Sequence, residues 1–73
     1  MLSPYNHYRV HYVWTDKNQR LIRDCDTILA SSATEAAQNI RRWCGHLTSF
    51  RIERVYVDTG FSWEEREWFE EEL

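Results

Sequence analysis

Five side chains able to bind metal are scattered along the chain: His7, His11, Cys25, Cys44 and His46. Zinc would take imidazole nitrogens and thiolates in a tetrahedral set. His7 and His11 share a strand face, but four extended residues set them about 13 Å apart, too far for one ion. Cys44 and His46 span a helix end and could supply two ligands, yet no CxxC or HxxxH spacing accompanies them. Surface histidines and buried free thiols are the simpler reading, with no metal and no disulfide. Nucleophilic catalysis has as little support. Cys25 stands between Asp24 and Asp26, whose negative charge disfavours a thiolate. Glu64 and Glu65 are paired carboxylates without a cleft, and two glycines in 73 residues leave no phosphate-cradling loop. The chain reads as a non-enzyme that needs no cofactor.

The residue types that remain are those of recognition. Arg20, Arg23, Arg41, Arg42, Arg51 and Arg54, with Tyr8, Tyr12, Tyr56 and His11, could form a sheet face of guanidinium and aromatic groups, as single-stranded nucleic acid requires. A pI near 5.5 lacks the usual basic footprint of such domains. The plainer alternative is a solvated strand face with Arg51 and Arg54 opposite carboxylates on a neighbouring strand. The C-terminal stretch carries a second signal. Trp63 to Leu73 holds six glutamates and one arginine, a net of −5, whereas residues 1–62 hold eight basic and six acidic side chains, a net of +2. Trp63, Trp68 and Phe69 among those glutamates would suit a basic groove on a protein, or imitate a phosphate backbone. Alternatively, they simply cover the core.

Periodicity supplies the elements that must carry these groups. Tyr8, Val10, Tyr12 and Trp14 alternate with Arg9, His11, Val13 and Thr15, the period of a strand over 8–15. Asp16 to Gln19 is a polar break, and 20–29 reads as a second strand with Asp24 and Asp26 on its Ile22 and Ile28 face. Ser32 and Glu35 make a capping box for a helix whose Ala33, Ala36, Ala37, Ile40 and Cys44 recur at helical spacing. Trp43 would fill the edge of that stripe, and Gly45 would end the helix. Residues 50–58 read as a third strand with Phe50, Ile52, Val55 and Val57 inward; the alternation slips at Arg54-Val55, as a bulge would make it. Ser62 and Glu65 repeat the capping-box spacing, which predicts a second, short acidic helix from Trp63 to about Glu72.

The fold class expected is α+β: an antiparallel hairpin, a helix and a third strand (ββαβ, about 8–58), with the acidic helix in 61–73. A chain of this length holds one domain. Four Trp, four Tyr and three Phe are expected to make its core dense. No apolar run approaches a membrane span and residues 1–6 show no leader pattern, so the expectation is a cytoplasmic protein, a monomer or a weak dimer through an exposed third-strand edge.

Over roughly residues 8–57 the chain resembles phage-encoded inhibitors of bacterial RNA polymerase. The likeness rests on the capped helix start Ser32…Glu35-Ala36, on Trp43 near the helix end, and on Phe50-x-Ile52-x-Arg54-Val55 in the last strand. In that family the arginine matching Arg54 takes part in polymerase binding; a second family arginine, two residues on, is Tyr56 here. The resemblance implies a non-enzymatic regulator in the host cytoplasm that occupies the polymerase and alters initiation or termination. Arg51, Arg54, Tyr56, Trp63, Trp68 and Phe69 are the candidate partner-binding residues. Nucleic-acid binding by the sheet, and an acidic decoy against a host defence or DNA-binding protein, are the alternatives.

Overall fold

The structure, a computed structural model, describes residues 5–69. Strands β1 (Asn6–Thr15) and β2 (Leu21–Ala30) form a hairpin, helix α1 (Ala33–Cys44) crosses over, and β3 (Arg51–Asp58) and β4 (Trp63–Arg66) form a second hairpin. The sheet order is β2-β1-β3-β4, with every neighbouring pair antiparallel. β2 and β3 therefore run parallel on either side of β1, joined by α1 in a split βαβ arrangement. α1 lies on one face of the sheet. The expected hairpin, helix and third strand are all present.

Local chemistry explains each boundary. Asp16 turns the first hairpin: its carboxylate accepts the N–H groups of Asn18 (2.8 Å) and Arg20 (2.9 Å) and pairs with the Arg20 guanidinium (3.1 Å). Those donors hold the Asp16 carboxyl below its usual range, the Arg20 amide most of all. Ser32 caps α1 by accepting the Glu35 N–H (3.0 Å), and Glu35 in return accepts the N–H of Ser31 (2.6 Å). Gly45 ends the helix in an ordinary right-handed conformation (φ −64°), not the left-handed one that a C-terminal glycine usually serves. Its value is space: a Cβ there would lie 2.5 Å from the Arg41 carbonyl oxygen.

The core joins Tyr8, Val10 and Tyr12 of β1, Ala30 of β2, Ala33, Ala36, Ala37 and Ile40 of α1, and Ile52, Val55 and Val57 of β3. Burying a side chain such as Ile40 or Val55 contributes about 1.5–3 kcal/mol. Tyr12 donates to Asp26 (2.7 Å), and its burial, with that carboxylate beside it, drives the phenol strongly toward its neutral form. The core is less aromatic than expected. Tyr8 and Tyr12 are buried, but Trp14, Phe50 and Trp68 only flank the core, and Trp43 is 60% exposed rather than filling the stripe's edge. Three alanines bring the helix close to the sheet and leave no depth for an indole.

Three further expectations change. The predicted C-terminal helix is not formed: residues 63–66 are strand β4, and 67–69 are not helical. Gly60 at φ 92° reverses the chain so that Trp63, Glu64, Glu65 and Arg66 face Asp58, Val57, Tyr56 and Val55. Ser62 thus belongs to a hairpin loop, where its N–H bonds to Thr59 and caps nothing. The part of that helix predicted over 70–72 lies outside the described residues. The third strand offers no edge either, since β1 and β4 flank it; the edges are β2 and β4. Charged side chains line both edges, which opposes pairing with another sheet.

Candidate interaction face

The bulge expected in the third strand decides what the open face of the sheet displays. His11 pairs with Arg54 and Tyr12 with Ile52, so Glu53 is the extra residue. One extra residue shifts the alternation by one. Ile52 and Val55, three apart, both face the helix, and Arg51, Arg54 and Tyr56 all face the other way. A regular strand would have separated Arg51 from Arg54. On the same face β1 contributes Arg9, His11 and Val13, β2 contributes Arg23, Cys25 and Thr27, and β4 contributes Trp63 and Glu65.

The contacts across this face are specific. The Arg9 guanidinium lies 4.2 Å from the centre of the Trp63 ring. His11 and Tyr56 meet edge to face at 5.3 Å. These four line a shallow depression of about 190 Å³. Beside it Arg54 pairs with Glu65 (3.4 Å), and Glu53 lies between Arg23 (3.6 Å) and Arg51 (3.9 Å). Tyr56, and then Glu65, hold the Arg54 guanidinium still more firmly protonated than usual. Val13, 1% exposed, lies in register between Arg23 and Arg51. Arg9, Arg23, Arg51 and Arg54 stand against Glu53, Asp58 and Glu65, so the face carries a net +1 on a chain whose net charge is −3.

The six candidate residues therefore divide. Arg51, Arg54, Tyr56 and Trp63 come together on the open face. Trp68 packs against the core from the helix side. Phe69 is half exposed and donates its N–H to Thr34 in the first turn of α1 (3.2 Å), so the segment that follows β4 crosses to the helix. Sequence reasoning missed Arg9, although it placed Arg9 beside His11 on this face.

Cys25, on the open face, and Cys44, on the helix, are free thiols on opposite sides of the sheet; neither is buried as expected, Cys25 being exposed and Cys44 only partly covered. Among the described residues no three of His, Cys, Asp and Glu gather as a metal ion would require. No helix among them is long and apolar enough to cross a membrane. In comparisons with known proteins, no family model, no curated protein and no solved structure matched the chain.

Proposed function

We propose that this domain is a non-enzymatic regulator that binds bacterial RNA polymerase through the open face of its sheet and thereby alters transcription. The observation that supports this reading is the convergence of Arg51, Arg54, Tyr56 and Trp63 on one uncovered surface by the bulge at Glu53. Arg54 is the residue on which the resemblance to phage polymerase inhibitors turns. Its present partner is held loosely, since the two side chains are 61% and 55% exposed and solvent screens such a pair. Exchange of Glu65 for a carboxylate of a partner therefore costs little. If that partner carboxylate is buried on docking, the planar guanidinium fork gains a stronger, directional pair.

The nucleic-acid alternative draws on the Arg9–Trp63 stack and the His11–Tyr56 pair, both of which could hold a base. Against it, Arg23, Arg51 and Arg54 already answer to carboxylates, and phosphates would meet Glu53 and Glu65 on the same face. The two readings separate by experiment. Purified RNA polymerase should bind the chain in solution, and Arg54→Ala should weaken that binding about tenfold or more, the cost of truncating one partner of a desolvated ion pair. Tight, steeply salt-dependent binding of an oligonucleotide with no binding of polymerase would favour the alternative.

A further inference from the structure

Strand β2 is nearly palindromic. From Leu21 to Leu29 its order is Leu-Ile-Arg-Asp-Cys-Asp-Thr-Ile-Leu, and every residue but Arg23 and Thr27 meets its own type at the mirror position about Cys25. β2 is also an edge, paired with β1 on one side and with no strand on the other among the described residues. Its free side has a definite pattern. The Asp16 N–H bonds to the Arg20 carbonyl at the hairpin turn, so the even-numbered residues of β2 make the ladder with β1. The odd-numbered ones, with Cys25 at their centre, turn N–H and C=O outward. The Cys25 N–H accordingly meets no strand and is held by the Asp24 carboxylate (2.8 Å).

A two-fold axis through Cys25 matches this strand with itself. In antiparallel pairing about that axis Leu21 faces the partner's Leu29, Ile22 the partner's Ile28, Arg23 the partner's Thr27 and Cys25 the partner's Cys25. Like faces meet, so the leucines pair on the open side of the sheet and the isoleucines on the helix side. The leucines have most to bury, being 53% and 55% exposed in the single chain. Moving the axis by one residue, to Asp24 or to Asp26, sets Ile22 against the partner's Asp26 or Asp24 against the partner's Ile28. The charges along β2 oppose added strands in general, and here too Asp24 faces the partner's Asp26, once on each side of the axis. Four aliphatic pairs and a main-chain ladder stand against those two acid pairs, so the association is weak rather than absent. We infer that β2 is a self-pairing edge, through which two copies of this chain join into one continuous sheet about a two-fold axis at Cys25. Both open faces then lie on the same side of the joined sheet, whatever that face binds.

The test uses the full chain. Sedimentation equilibrium in a reductant should show a dimer as the protein approaches about 1 mM. Leu29→Lys sets a charge against the partner's Leu21 from an exposed position of the single chain; it should weaken the dimer about tenfold or more with an unchanged melting temperature. Asp24→Asn relieves both acid pairs and should tighten it about tenfold. Diamide supplies a second readout. Cα atoms of a hydrogen-bonded antiparallel pair are about 5.5 Å apart, a spacing that a disulfide accepts. Two Cys25 thiols give up two protons and two electrons to diamide, which becomes the hydrazine, and an S–S bond joins the copies. The linked dimer should form in Cys44→Ser and not in Cys25→Ser. With both native cysteines replaced by serine, Arg23→Cys and Thr27→Cys should link to each other and neither to itself. A chain that sediments as a monomer up to about 1 mM, a Leu29→Lys variant that dimerises like wild type, or linkage through Cys44 as fast as through Cys25 would overturn the inference.

Discussion

Glu53 shows how one residue can determine a surface. It has no pairing partner in β1, and its insertion turns Arg54 and Tyr56 to the same side as Arg51. It was legible only in part. The slip in alternation at Arg54-Val55 announced a bulge, but which residue is extra depends on the register with β1, which leaves out Glu53. The energetics at this scale separate the two faces. Ile40, fully buried under the sheet, should cost about 2–5 kcal/mol when cut to alanine, because the methylenes lost leave a cavity that the alanines around it cannot fill. Glu53→Ala should cost less than about 1 kcal/mol, since it removes only pairs with guanidinium groups about 70% exposed. Urea unfolding of both variants checks the contrast; equal losses would mean that the open face is part of the stabilising core.

At the scale of elements, the hairpin turn and the helix cap were readable because their donors and acceptors are local. Asp16 and Glu35 each accept two or more hydrogen bonds as carboxylates, and both titrate below their ordinary values of 3.8 and 4.5. A depressed folded pKa stabilises above the unfolded value and is lost as pH falls through the folded one. The melting temperature should therefore fall as pH drops below about 4.5. The double variant Asp16→Asn, Glu35→Gln should show a flatter acid limb, and an unchanged limb would place the acid sensitivity elsewhere. Gly45→Ala tests the helix end. A left-handed cap would make the substitution costly through φ; here the cost comes from the Arg41 carbonyl, 2.5 Å from the new methyl. Melting should show a loss of about 1 kcal/mol or more as the last turn shifts. The Ser62…Glu65 spacing misled because capping chemistry and hairpin chemistry use the same residue types. The Thr59-Gly60 turn and the pairing of β4 with β3 outweigh it, and that pairing is not visible in local sequence.

For the molecule as a whole, composition pointed to an aromatic core, and the fold uses its rings differently. Close packing of an alanine-faced helix fills the interior with Val, Ile, Ala and two tyrosines. Trp63, Tyr56 and His11 remain on the open face, and Phe61 projects from its end. An all-polar open face would have suited solubility alone; rings interleaved with arginines suit recognition. The sheet thus separates a packed side from a displayed side, and the proposed function depends on the displayed side alone. The most direct measurement is the affinity of purified RNA polymerase for the wild-type chain, for Arg54→Ala with Tyr56→Ala, and for Trp43→Ala, whose exposed ring lies on the helix at the opposite side. The account predicts at least tenfold weaker binding for the Arg54 and Tyr56 double variant and none of that loss for Trp43→Ala. Unchanged binding by the double variant, or loss confined to Trp43→Ala, would contradict it.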